Sequence, residues 1–114
     1  MKKIYRLRKR RDFNYTYKKG KSVANQYLVL VYRRSGLPVT RAGFSVSKKF
    51  GKSVKRNRIR RQLKEIYRKR IPYVKEGFDL IFVVRKNARD VEFSKIEEAV
   101  DNLLRRAELF KEMG

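Results

Sequence analysis

The sequence predicts an α+β sandwich, with helices laid against a small sheet in the order helix, hairpin, helix, strand, helix. Two patterns carry this. Runs rich in β-branched and aromatic residues at 27–34 and 78–85 read as strands, and apolar residues at helical spacing after Ser53 and after Glu92 read as amphipathic helices. Composition adds a third reason to expect a fold. Hydrophobic residues make up 41% of the chain and aromatics 12%, too apolar for a disordered basic tail. One domain is expected over 1–114.

The chain begins with a basic arm, about residues 1–10, extending through Arg11 with seven positive charges and no acid. Such arms are usually mobile until they meet phosphate. Residues 10–19 suit a short helix, with Phe13 and Tyr17 four apart on one face and Gly20 as its stop. Residues 21–26 connect onward and have room for a short strand. Residues 27–34 form a strand, Ser-Gly-Leu-Pro at 35–38 a turn, and 39–47 a partner in which Ala42, Phe44 and Val46 alternate with Gly43, Ser45 and Ser47. These two runs are expected to pair as an antiparallel hairpin.

From Ser53 to about Arg70, Ile59, Leu63, Ile66 and Tyr67 make a helical stripe, which Pro72 ends. Residues 78–85 are nearly all apolar in the middle, as in a central strand buried on both faces. From about 92 to 111, Phe93, Ile96, Val100, Leu103, Leu104, Ala107 and Phe110 mark a last amphipathic helix, with Ser94 and Glu97 available as caps. The strand-helix-strand stretch between 39 and 85 would be a parallel crossover if its strands pair.

Charge narrows the function. The chain has 33 Lys plus Arg against 11 Asp plus Glu, a formal net charge of +22 that demands a polyanion and repels itself when compact. Nucleic acid is the commonest such partner. An anionic membrane is the rival, but no window approaches the ~20 apolar residues of a spanning helix, and no secretory signal is read at the N-terminus. Without Cys there is no disulfide framework or zinc ribbon; without His there is no imidazole base or triad. Seven of the acids (Asp90, Glu92, Glu97, Glu98, Asp101, Glu108, Glu112) fall in the last quarter, where they read as a solvated helix face. Catalytic side chains are therefore not expected.

The strongest constellation lies at 48–70, where twelve basic residues are opposed only by Glu65. Because they share a helix with an apolar stripe, Ile59, Leu63 and Ile66 would dock it while Arg56, Asn57, Arg60 and Lys64 face outward. At ~1.5 Å per residue the helix is about 27 Å long, enough to pass several phosphates. Asn57, uncharged between two arginines, suits hydrogen bonding to phosphate, ribose or a base edge; the bland alternative is that it caps a helix turn. Phe13 and Tyr17 are likewise either the buried face of the first helix or a platform on which unpaired bases stack.

The segment FSVSKKFGKSVKRNRIRR at 44–61 closely resembles the signature of the bacterial ribonuclease P protein component, with Arg-Asn-Arg at 56–58 and a basic pair at 60 and 61 as its hallmark. Asp12-Phe13, Tyr17, Gly20 and Ser22-Val-Ala-Asn25 also resemble that family. The resemblance implies a mostly antiparallel sheet of about four strands with three helices, in the order α-β-β-β-α-β-α with a left-handed strand-helix-strand crossover. It implies an RNA-binding subunit, one monomer per RNA, that assists a catalytic RNA in removing the 5′ leader of precursor tRNA in the cytoplasm. The holoenzyme then requires Mg2+, held largely by the RNA. By this resemblance the RNA subunit is contacted by Lys49, Lys52, Lys55, Arg56, Asn57, Arg58, Arg60, Arg61, Lys64 and Arg68. The leader is contacted by Phe13, Tyr17, Val31 and Lys86. Val31 stands where some members carry an aromatic residue, and the neighbouring Tyr32 points to the opposite face. Charge and size equally permit a ribosomal or other structural RNA-binding protein. A DNA-binding protein fits less well, because the basic helix lacks a helix-turn-helix partner or coiled-coil seam.

Overall fold

A computed structural model describes residues 1–112. Its elements are α1 (Arg10–Lys19), β1 (Lys21–Ala24), β2 (Leu28–Arg34), β3 (Arg41–Ser45), α2 (Ser53–Arg70), β4 (Phe78–Val84) and α3 (Phe93–Arg106). The four strands make one sheet in the order β1-β2-β4-β3, antiparallel except where β3 runs parallel to β4. The α+β class and the parallel crossover through α2 therefore stand, but the expected hairpin does not. β2 pairs backwards with β1 and forwards with β4, and β4 inserts between the two runs that the turn at 35–38 joins.

Period-two alternation gives the sheet two unlike faces. One carries Leu28, Leu30, Leu80, Phe82, Val84 and Ala42 into the main core beneath α2 and α3, against Ile59, Leu63, Ile66, Tyr67, Val100, Leu103 and Leu104. Phe44, Tyr67 and Phe82 meet there with centroids 5.8–6.3 Å apart, and burial pushes the Tyr67 hydroxyl pKa up, so that it stays neutral. Asn25 ties this layer together: its amide donates to the Ala99 carbonyl and Asn102 Oδ1, while its Oδ1 accepts from the Tyr27 and Leu28 backbone N–H groups.

Two details at the helix ends depart from expectation. α3 stops at Arg106 because Glu108 takes a left-handed conformation (φ 58°); its N–H bonds the Arg105 carbonyl and that of Leu109 the Leu104 carbonyl. This is a Schellman ending with Glu where glycine is usual, so the sequence carried no stop signal. Phe110 then bridges Val74 instead of continuing the helical stripe. Ser94 and Glu97 do not cap α3, whose N-cap is Glu92 without a side-chain bond. Glu97 and Asp101 instead clasp Arg70 at the end of α2, at 3.1 and 2.6 Å, so the acidic face is only partly solvated. The Asp101 hydrogen bond leads in raising the Arg70 pKa.

Candidate nucleic-acid interface

The other sheet face consists of three cross-strand rows, set by the register. The first is Arg33–Asp79–Arg41, the second Ser22–Val31–Ile81–Gly43, and the third Ala24–Val29–Val83–Ser45. Helix α1 lies over the first two. Phe13 sits on Gly43, where an added Cβ would come 2.3 Å from the ring's Cζ, and it packs against Leu7, Val31 and Ile81. At the other end, Gly20 receives the chain so closely that a Cβ would meet two backbone oxygens, Thr16 O at 2.5 Å and Tyr32 O at 2.9 Å. The third row stays uncovered. It is a strip of small side chains, partly exposed, and Tyr17, 44% exposed, stands on α1 one turn after the packed Phe13.

What holds α1 across the sheet is a charge network. The fully buried Asp79 carboxylate accepts from Arg33 Nη2 at 3.0 Å and from Arg41 Nε and Nη2 at 2.9 and 2.8 Å. Arg41 reaches on to Asp12 of α1 at 3.5 Å, and Arg33 Nε donates to the buried Thr16 hydroxyl, which itself donates to the Asp12 carbonyl. The hydrogen bond that Arg41 donates to Asp79 is the main cause of its raised pKa, against the opposing effect of burial. The network fixes the angle of α1 and with it the positions of Phe13 and Tyr17.

Helix α2 packs beyond β3 and divides its charges between two flanks. Asn57, Arg60, Arg61 and Lys64, with Val54, line one open shelf. There Arg60 Nη1 donates to Asn57 Oδ1 at 3.1 Å, so Asn57 lies within the helix as a brace for an arginine and is not a cap. Lys55 and Arg58 lie on the other flank beside Asp90, which Lys55 meets at 3.2 Å. Arg56 turns back to the Gly51 carbonyl at 2.7 Å, Arg68 pairs with Glu65 at 2.7 Å, and Lys49 and Lys52 are exposed ahead of the helix. The ten basic and polar positions thus form more than one surface. The N-terminal segment joins the shelf to α1. Arg6 bridges Ala42 at the β3 edge, the buried Leu7 bonds the Ala42 carbonyl, and Arg6 and Arg8 line a cleft with Arg60, Lys64, Phe13 and Gly43. The expected free arm is therefore seated.

Of the expected leader positions, Phe13 packs on the second row, Tyr17 is exposed on α1, and Lys86 is exposed in a short turn after β4. Val31 is placed differently from Phe13 and Tyr17. It is 8% exposed beneath α1 and belongs to the packed second row. Tyr32 does lie on the opposite face, against the main core. The sequence reading missed the third row and the Asp79 hub. The hub had a signal, for Asp79 is the one charge inside a strand otherwise apolar on both faces, and a buried charge needs partners. Among the described residues no three acidic side chains converge as metal ligands, and Asp12, Asp79, Asp90, Glu97 and Asp101 each face a cation.

Residues 1–108 match the family model described as ribonuclease P. A ribonuclease P protein component from Alkaliphilus oremlandii is 47% identical over 109 residues, covering 96% of each chain. One from Caldanaerobacter subterraneus is 41% identical over 110 residues, covering 96% of this chain and 95% of that one. Among solved structures, a Staphylococcus aureus RNase P protein mutant with defective mRNA degradation activity superposes with a TM-score of 0.89 at 35% identity, covering 95% of this chain and 92% of that one. The RNase P protein of Thermotoga maritima gives 0.82 at 39% identity, covering 89% and 96%. The signature around Arg56–Arg58, the sheet order and these matches agree: the chain belongs to the family of bacterial ribonuclease P protein components.

Proposed function

We propose that this protein is the RNA-binding subunit of ribonuclease P. It grips the catalytic RNA with the α2 shelf and holds the 5′ leader of precursor tRNA in the groove beside α1, as one protein per RNA in the cytoplasm. The observation that carries this reading is continuity. The shelf (Asn57, Arg60, Arg61, Lys64) runs through Arg6 and Arg8 around the β3 edge to Phe13, so one surface faces both a structured RNA and a single strand. Phosphates are neutralised along the basic stretch, while the open third row admits unstacked bases beside Tyr17. Magnesium held by the RNA would supply the activated water and the charge neutralisation for phosphodiester cleavage. The chain's own residues bind and orient.

The test is cleavage of precursor tRNA by the cognate RNA, with and without this protein, at limiting magnesium. The protein alone should cleave nothing, and its addition should lower the magnesium and salt required. Unchanged cleavage would sink the reading. Within it, Asn57→Ala frees Arg60 and is expected to weaken assembly with the RNA about tenfold, on the scale of a charge-assisted hydrogen bond. Lys18→Ala, a single exposed charge, should cost about twofold or less. Equal small losses in a filter-binding titration at fixed salt would show that Asn57 does not orient the contact.

A further inference from the structure

Helix α1 has a second flank. Tyr15, two residues from the Tyr17 that borders the groove, is 50% exposed and faces a different cleft of about 670 Å3, larger than the α2 shelf at about 500 Å3. Five separate stretches of chain build it: α1 supplies Tyr15 and Lys19, β1 Lys21, β2 Arg34, the approach to and start of β4 Lys75 and Phe78, and the turn after α3 Glu108. The two rings are backed by guanidinium groups, Arg33 at 4.4 Å from the Tyr15 centroid and Arg34 at 5.3 Å from that of Phe78.

The charges lining the cleft are of two kinds. Arg33 is committed to Asp79, Thr16 and the Arg34 carbonyl, so it is architecture. Lys19, Lys21, Arg34 and Lys75 form no ion pair among the described residues, and Glu108 is the only acid lining the cleft. Four cations converging on a concave surface repel one another until an anion enters, and the size is that of a pocket for a nucleotide-scale ligand, within the ~300–1,000 Å3 of such sites. A polyphosphate with flat bases meets the charges, the exposed Tyr15 ring and the partly exposed Phe78 ring.

We infer that the cleft between α1 and the β2–β4 end of the sheet is a second site for single-stranded RNA, distinct from the groove, with Lys19, Lys21, Arg34 and Lys75 on the phosphates and Tyr15 and Phe78 beside the bases. The strand comes either from a leader extending beyond the groove or from an unpaired segment of the RNA subunit.

The double variant Lys19→Gln/Arg34→Gln tests the site in reconstituted holoenzyme. One arm titrates protein against the RNA subunit; the other titrates holoenzyme against precursor tRNAs with short and with long leaders. The expected result is a loss of about tenfold or more in one arm, with the log–log salt slope lowered by about 1.4–1.8 for two neutralised phosphates. Loss confined to long leaders assigns the strand to the substrate, and loss confined to the RNA titration assigns it to the RNA subunit. The control Lys95→Gln/Arg105→Gln removes the same charge from exposed positions on α3. No loss in either arm, or an equal loss in the control, overturns the site. Wild-type stimulation of cleavage, measured alongside, reports separately on the proposed function.

Discussion

Asp79→Ala is expected to lower stability by about 3–5 kcal/mol, because removing one member of a buried charge network leaves the others uncompensated. Asp79 has no exposed surface, and its partners Arg33 and Arg41 keep only 17% and 22% of their side chains exposed, so little solvent screening reduces the loss. At roughly 4 °C per kcal/mol for a domain of this size, the melting temperature should fall by about 12–20 °C. The effect should not stop at stability. Arg41 and Arg33 hold Asp12 and Thr16 of α1, so whatever variant protein remains folded should lose affinity for leader-bearing substrate before it loses affinity for the RNA subunit. Scanning calorimetry decides the first point. A drop of less than about 4 °C, under 1 kcal/mol, would mean that the carboxylate behaves as a surface pair.

Gly43→Ala should produce the second large effect, and a more specific one. Its methyl group would stand 2.3, 2.9 and 3.1 Å from three atoms of the Phe13 ring, so the ring must leave its seat. If Phe13 carries a stacked base, the loss for leader-bearing substrate is about 1–3 kcal/mol, roughly five- to 150-fold, with mature tRNA almost unaffected. Phe13→Ala should lose a similar amount. The combination separates cause from coincidence: with the ring already gone, Gly43→Ala has nothing to displace, so the double variant should be no worse than Phe13→Ala alone. Additive losses in a competition assay of leader-bearing against mature tRNA would show that Gly43 acts by another route.

Local patterns fixed the elements far better than their neighbours. α2 begins and ends where Ser53 and the Ile-Pro at 71–72 indicated, and β2 and β4 follow their β-branched runs. Strand order was lost because a short turn between two strand-like runs suits a hairpin as well as it suits a loop passing over an inserted strand. The choice is made by side chains far apart in sequence. β4, apolar on both faces, needs a neighbour on each side, and Asp79 at its start finds an arginine on both β2 and β3 only in the observed order. The basic helix was legible as a binding element because charge and apolar stripe coexist on it. Its division into two flanks was not, since that depends on Asp90 and on the seated N-terminus. The burial of Val31 was hidden for the same kind of reason. Its face could be read from alternation, but its cover by α1 could not.

The seat of the N-terminal segment has one more consequence, for self-association. A mixed sheet of four strands has two edges, and an exposed edge is a template for another chain. β1 is short, four residues, and starts with a lysine, which blunts one side. β3 is guarded by the Arg6 bridge and by the Leu7 N–H donated to the Ala42 carbonyl. The residues that carry charge around that edge therefore also occupy the ladder position an intruding strand would take, so loss of 1–7 would invite edge-to-edge aggregation.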